Sequence, residues 1–417
     1  MKIQRNKYLN ALIERKHNGL IKVVTGIRRC GKSYLVFNLF REHLRDVGVA
    51  DDHVITAQLD LRSARRLRDP DAMLDYVNAK ITDSNMHYVL LDEVQLLPDF
   101  VEVLNEFLVN PYVDVYVTGS NSRFLSKDII TEFRGRGDEV HVFPLTFAEF
   151  MQVRNDGEQH AWADYVEYGG LPLVATMSSE EQKATYLSNL FEETYIKDIV
   201  ERNGLRKTQE LEDLVDVLAS VTGSLTNAPK IQATFKSSLH SNISTATIRS
   251  YIDCLEDAFL ISEAKRYDIK GRKYIGVPVK YYFEDVGLRN ARLNFRQVEE
   301  THLMENIIYN ELRARGFSVD VGLVNGRYVN SDGKKATNSF EVDFVANRGS
   351  RRYYIQSAYA LSDATKRKQE SESLRRINDS FKKIIIVKDV INTTRDELGI
   401  VTMGLFNFLL NPDSLDA

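Results

Sequence analysis

Gly26, Ile27, Arg28, Arg29, Cys30, Gly31, Lys32 and Ser33 fit the pattern G-x-x-x-x-G-K-[ST] in full. The two glycines let the backbone curl so that successive N–H groups, and the start of the helix that follows, face an anion. Lys32 supplies a cation for β- and γ-phosphates, and the Ser33 hydroxyl can ligate Mg²⁺. These residues, with Tyr34 next along the helix, therefore read as a phosphate-cradling loop for a nucleoside triphosphate, ATP; the bland alternative is a Gly-rich turn. Downstream, Asp92 and Glu93 end the apolar run Tyr88–Leu91, at the end of a strand where α/β sheets place ligands. Asp92 is read as a Mg²⁺ ligand and Glu93 as the base that polarises an attacking water, against a plain strand-end cap. A strand candidate separates the two motifs, which favours a hydrolase with a catalytic glutamate over kinase-like or GTPase-like arrangements. Ser120 and Asn121 follow another apolar run and are candidate γ-phosphate sensors or turn formers. Arg136, in the run Phe133–Gly137, is a candidate finger completing a neighbouring subunit's site, so a homo-oligomer is one expectation; otherwise it is a surface arginine.

The elements that must hold these residues are legible as alternating strands and helices over 1–150. Strands are expected at Leu20–Thr25, His53–Leu59, Tyr88–Asp92, Val113–Thr118 and Glu139–Phe143, with helices near Ser33–Arg45, Asp71–Ile81 and Asp99–Val109. Near-continuous apolar strands between helices predict a parallel sheet covered on both faces. From Pro144 the pattern turns helical up to about residue 204. Two helices, a polar turn at His240–Ser244 and a third helix with Ile248, Ile252, Leu255 and Phe259 at helical spacing come next. Strand-like runs Phe259–Lys265 and Val277–Phe283, joined by a basic segment, Lys270–Gly276, complete the outline of a winged helix. Beyond 290 a helix bearing Glu305 precedes strands, a charged helix (Ala364–Asn378) and an apolar strand. The stretch Val324–Ser339, with Gly326, Asn330, Asp332 and Gly333, is expected to be a mobile loop.

Leu20–Ser33, Leu91–Gln95, Thr118–Ser122, Gly135–Arg136 and Pro144–Phe150 together resemble the prokaryotic "archaeal-type" AAA+ ATPases. The similarity continues through Tyr168–Pro172, Tyr195–Ile199, Thr247–Glu256, Lys280–Arg289, Glu305–Asn306 and Glu341–Phe344. It implies an AAA+ core over 1–150 with the sensor strand between the two motif strands, a helical lid or linker over 151–204 and a winged helix over 205–290. A restriction-endonuclease-like α/β domain over 291–417 is implied last. That last region resembles the PD-(D/E)XK nucleases: Glu305 and Asp343 match the helix and strand acids, but Gln356 replaces the third acid and Ala358 the lysine. Glutamine is a weaker metal ligand and alanine cannot steady a hydroxide, so an inactive relic is expected. Lys366 or Lys368 are the nearby lysines that could substitute.

The formal charge of −4 gives no global basic signature, so any nucleic-acid surface must be local. Between Leu225 and Asn290 ten Lys/Arg stand against seven Asp/Glu. Thr247 and Arg249 at the start of the third helix, and Lys270, Arg272 and Lys273 in the wing, are the candidate contacts to double-stranded DNA. Because Asp253, Glu256 and Asp257 make that helix acidic, a protein partner is the alternative. Cys30 and Cys254 lack metal-ligand spacing, and with no signal-peptide or membrane-spanning run a cytoplasmic protein without a membrane partner is expected. The sequence thus points to an Mg²⁺-dependent ATPase coupled to DNA or partner binding, against a nucleotide-gated switch with negligible turnover or an ATP-regulated nuclease.

Overall fold

The computed structural model describes residues 2–119, 133, 135–205, 208–329, 335–361, 364–389 and 391–416. They form two compact units. The first comprises Met1–Pro144 with Leu171–Leu173 and Asp257–Phe259; the second comprises Leu145–Gly170, Val174–Glu256 and Leu260–Ala417.

The first unit is built on five strands: β1 (Ile21–Thr25), β2 (Val54–Gln58), β3 (His87–Asp92), β4 (Val113–Thr118) and β5 (Gly137–His141). Their order is β2-β3-β4-β1-β5 and every pairing is parallel. Every residue of β1, β3 and β4 is buried, which is why these runs are continuous rather than alternating in hydropathy. Met73, Val103, Leu104 and Phe107, from the helices Pro70–Asn78 and Phe100–Phe107, pack against Ile21, Val23, Val89, Leu91, Val115 and Val117. The first of these helices starts where Asp69 accepts the Ala72 N–H at 2.9 Å, with proline in the first turn. β4 lies between the two motif-bearing strands β1 and β3, as the family resemblance implies.

One polar group crosses this apolar layer. Lys22 of β1 is fully buried, and its ammonium meets the Asp114 carboxylate and the Leu20 carbonyl, the latter at 2.9 Å. Tyr116 donates to the same carboxylate at 3.0 Å, so the charge of Asp114 is matched and hydrogen-bonded.

In the second unit the helices Thr208–Ser220, Ala228–Ser238 and Thr245–Asp257 lead into the antiparallel hairpin β6 (Ile261–Asp268) and β7 (Lys273–Phe283). A backbone bridge joins Thr226 to Val279, bringing the segment between the first two helices onto the hairpin. β8 (Ser318–Val329), β9 (Lys335–Arg348), β10 (Arg351–Ala358), β11 (Lys382–Val387), β12 (Thr394–Arg395) and β13 (Val401–Gly404) follow. One eight-stranded sheet results, in the order β12-β13-β11-β10-β9-β8-β6-β7.

Four sequence expectations change here. The hairpin is not closed off near residue 290: Arg266, Tyr267 and Asp268 pair in parallel with Val321, Gly322 and Leu323, so the backbone edge of β6 is satisfied by the C-terminal strands. The stretch 324–339 is not a loop over its described part. It forms the arms of β8 and β9, paired from Val324–Phe340 to Val329–Lys335, and antiparallel pairing overrides the turn former Gly326, while Asn330, Asp332 and Gly333 lie outside the described residues. Lys273–Gly276 is strand rather than connector. Finally, a helix at Val286–Arg292 escaped notice because it is short and buried on most sides; Asp285 caps it by accepting the Leu288 N–H at 3.0 Å. The same carboxylate accepts the Gly170 N–H at 2.8 Å, and burial pushes Asp285 up to about 6. A Cβ on Gly287 would stand 2.0 Å from the Tyr168 carbonyl oxygen, so this approach requires glycine.

Cys30 and Cys254 are both buried, and no disulfide joins them. Among the described residues no helix is long and apolar enough to cross a membrane. Replacing Lys22 by Met leaves Asp114 buried without its counter-charge, and is expected to lower unfolding free energy in urea by about 3–5 kcal/mol.

Candidate functional site

The loop after β1 is shaped by backbone that side chains disfavour. Gly26 has φ 133°, and a Cβ there would lie 2.1 Å from the Val142 carbonyl oxygen. Gly31, at φ 104°, then turns the chain into the helical stretch that opens with Lys32–Tyr34. Ile27 and Cys30 are buried beneath the loop. Lys32 is itself buried and donates to the Gly26 and Ile27 carbonyls at 2.9 and 2.8 Å. Its ammonium therefore rests on two neutral acceptors inside the curl where a phosphate would present charged ones.

The ends of β1, β3 and β4 converge beside this loop. Ser33 donates to Asp92 Oδ1 at 3.0 Å, and the Thr118 hydroxyl donates to the same oxygen. Burial raises the Asp92 pKa; the two hydroxyls oppose that, while the charges of Glu93 and Asp60 push it further up. Hydroxyls and carboxylates gathered under net negative potential are a hard-oxygen donor set, so Ser33 and Asp92 fit Mg²⁺. Glu93 adopts left-handed backbone at φ 51°, with its N–H on the Thr118 hydroxyl at 3.2 Å and its carboxylate engaged by the Gln95 amide. Such a conformation is uncommon outside glycine and clusters at functional positions.

Tyr34 is exposed on the helix that leaves the loop. Arg28 and Arg29 belong to the loop, Arg29 with φ 65°. Ser120 and Asn121 lie outside the described residues. Arg136 is exposed; its guanidinium donates to Asn105 Oδ1 at 3.3 Å.

Two contributors escaped the sequence reading. Thr118 passed as a strand end, although a hydroxyl at the C-terminal end of a strand beside an acidic one was a usable signal. Arg5 carried no signal, being remote in sequence. It is buried and donates to the Cys30 carbonyl at 3.0 Å and the Phe143 carbonyl at 2.7 Å, clamping the loop from below.

A second cluster lies in the other unit. Glu305, on the helix Glu300–Ala314, and Asp343, on β9, come together as expected. Gln356 joins them, its side-chain oxygen facing the Asp343 N–H at 3.4 Å. The lysine, however, comes from neither Lys366 nor Lys368, which are exposed on their helix, Lys366 beside Glu370. It is Lys280 of β7. Its buried ammonium lies 2.8 Å from Glu305, 2.7 Å from Glu341 and 3.9 Å from Asp343. Burial alone would lower the Lys280 pKa, but Glu305, Asp343 and Glu341 hold it above its ordinary value. Burial, then the Glu305 charge, raises Asp343, the carboxylate farthest from the ammonium and the one best placed to keep a proton.

Of the candidate DNA contacts, Lys270, Arg272 and Lys273 are exposed about the turn between β6 and β7, with Tyr274 and Val277 exposed beyond them. Lys270 donates to the Asn325 carbonyl at 3.0 Å. Thr247 and Arg249 lie in the first turns of the helix Thr245–Asp257, where the Ser244 hydroxyl accepts the Thr247 N–H at 3.0 Å.

Comparison with known proteins gives these arrangements a context. Residues 18–151 match an AAA domain, and residues 159–299 match a domain of unknown function. An uncharacterized protein of Haemophilus influenzae is 32% identical over 414 residues, 98% of each chain. An uncharacterized protein of Methanocaldococcus jannaschii is 26% identical over 378 residues, 86% of this chain and 79% of that one. Among solved structures, a Walker-type ATPase of Pyrococcus abyssi superposes with a TM-score of 0.50 at 13% identity, over 70% of this chain and 96% of that one; the likeness is one of fold.

The carboxylate cluster makes a specific demand on Lys280. Lys280→Met should destabilise the protein by about 3–5 kcal/mol in urea unfolding, and adding Glu305→Gln should recover part of that loss, since one unpaired charge is then removed.

Proposed function

The chain belongs to one family with the Haemophilus influenzae protein and carries an AAA-type nucleotide-binding domain over residues 18–151; on that footing we propose a Mg²⁺-dependent ATPase whose nucleotide state governs duplex-DNA binding by the second unit. The observation that carries the reading is the meeting of Ser33 with Asp92 at 3.0 Å, beside a lysine held on the carbonyls of its own loop.

On binding ATP, Lys32 exchanges the Gly26 and Ile27 carbonyls for phosphate oxygens, a change from neutral to charge-assisted hydrogen bonds. The loop N–H groups and the helix start receive the remaining phosphate oxygens. Ser33 and Asp92 hold Mg²⁺, which supplies charge neutralisation on the triphosphate. Glu93, once released from Gln95, is the group that takes a proton from the attacking water. Arg136, exposed and just before β5, would exchange Asn105 for the site of a second copy in a homo-oligomer.

For the second unit, three helices, the bridge at Thr226 and the hairpin support a winged helix, with Lys270, Arg272 and Lys273 at its tip facing phosphate. The carboxylate cluster supports a binding role rather than cleavage, because the Lys280 ammonium sits among the acids that would otherwise gather a divalent ion.

Phosphate release by the purified protein in Mg²⁺ tests the first half. Glu93→Gln is expected to lower kcat by about 10²–10⁴-fold while ATP still binds; an unchanged rate removes Glu93 from the chemistry. Duplex titrations over a salt series test the second. Substituting Lys270, Arg272 and Lys273 by Ala should flatten the slope of log K against log salt by about 0.9 per lost phosphate contact, whereas a flat response in the parent protein would favour a protein partner. Plasmid incubated with Mn²⁺ should stay intact, and cleavage that disappears on Asp343→Ala would reverse the relic reading.

A further inference from the structure

We propose that His53, Asp83 and His87 form a binding site for a transition-metal ion of the zinc class, at the end of the sheet away from the nucleotide loop. β2 and β3 are parallel neighbours paired Val54 to Tyr88, so His53 and His87, each one residue before those positions, come side by side at the N-terminal ends of the strands. Their rings lie 4.5 Å apart between centroids. Asp83 reaches them from the connection preceding β3, and one ligand atom from each of the three residues lies within 4.8 Å of the other two. His53 Nε2 and Asp83 Oδ2 are already 3.3 Å apart. That matches the separation of about 3.3 Å between two ligand atoms that each stand about 2.0–2.1 Å from a tetrahedral ion.

The surroundings are those of a held ligand set. Asn85 donates its side-chain amide to Asp83 Oδ2 at 2.7 Å and its backbone N–H to Oδ1 at 2.8 Å. The Asn85 carbonyl faces His87 Nδ1 at 2.9 Å. A carbonyl can only accept, so Nδ1 carries the proton and Nε2 keeps a lone pair, the form in which imidazole binds metal. His87 is fully buried, and its Nε2 has no hydrogen-bond partner. An ion pair between His53 and Asp83 accounts for those two residues but leaves this buried nitrogen unsatisfied, an arrangement native proteins avoid. Two imidazoles and one carboxylate select zinc-like ions over Mg²⁺ or Ca²⁺, so this site is chemically separate from the oxygen set of Ser33 and Asp92. Asp83 is exposed, which leaves the remaining coordination position to water.

The test uses the full chain, stripped with chelator and kept in excess Mg²⁺ so that the nucleotide site does not compete. Titration with ZnCl₂ by calorimetry should show one ion per chain, and CoCl₂ should develop the visible absorption of a four-coordinate ion. His53→Ala and Asp83→Asn, which alter a half-buried and an exposed side chain at the margin of the sheet, should each weaken binding at least tenfold while the metal-free protein stays folded. Asn85→Ala should weaken it by about 10–100-fold through loss of orientation. Wild type should also melt at higher temperature with Zn²⁺, and His53→Ala should lose that shift. Absence of stoichiometric binding in the wild type overturns the proposal, as does equal affinity in His53→Ala and Asp83→Asn, or binding retained in full by His87→Gln.

Discussion

Asp92 ends β3 almost out of reach of water, and the two hydroxyls that satisfy it come from different strands: Ser33 just past β1 and Thr118 at the tip of β4. A buried carboxylate is tolerable only when such donors are present. The requirement ties the ends of β1, β4 and β3 into one constellation, and with it the loop whose lysine and glycines address phosphate. The parallel order β3-β4-β1 is the arrangement in which that convergence occurs, because three adjacent parallel strands deliver their C-terminal ends to one edge. Arg5 then fixes the loop from its other side, through the Cys30 and Phe143 carbonyls.

A comparable constraint organises the second unit. Glu305, Glu341 and Asp343 come from a helix and a strand of the C-terminal region, while Lys280, the cation they share, comes from the hairpin. Taking the Lys280 ammonium out of water is costly unless acids pair it, and Asp343 keeping its proton limits the excess negative charge, so the cluster ties the hairpin to the C-terminal sheet. β7 thereby carries exposed basic residues at one end and the buried ammonium at the other. The strand that anchors in this charge cluster through Lys280 also begins with Lys273, one of the candidate DNA contacts.

The parallel sheet of the first unit also separates two chemistries by its two ends. Hydroxyl and carboxylate oxygens gather at the C-terminal ends of the strands, where the loop binds phosphate. Imidazoles with a carboxylate gather at the N-terminal ends of β2 and β3. Hard and borderline ligand sets so distributed can be occupied independently.

Much of the first unit was legible in the chain itself. Continuous apolar runs marked β1, β3 and β4 to within a residue, because a strand buried on both faces leaves little room for polar alternation. The loop Gly26–Ser33 and the pair Asp92–Glu93 stood out in sequence because a phosphate cradle needs glycine, lysine and a hydroxyl at one spacing, and the fold brings Ser33 to Asp92. Local patterns failed where partners were distant. Gly326 gave way to antiparallel pairing, since backbone hydrogen bonds to a neighbouring strand outweigh single-residue preference. Nothing near Lys280 in sequence reveals three acids 25 to 63 residues away. Arg5 and the pairing of His53 with His87 were equally silent. Sequence alone determined which short-range chemistry was on offer; only tertiary structure decided which charges meet, because Coulomb attraction and desolvation act through space rather than along the chain.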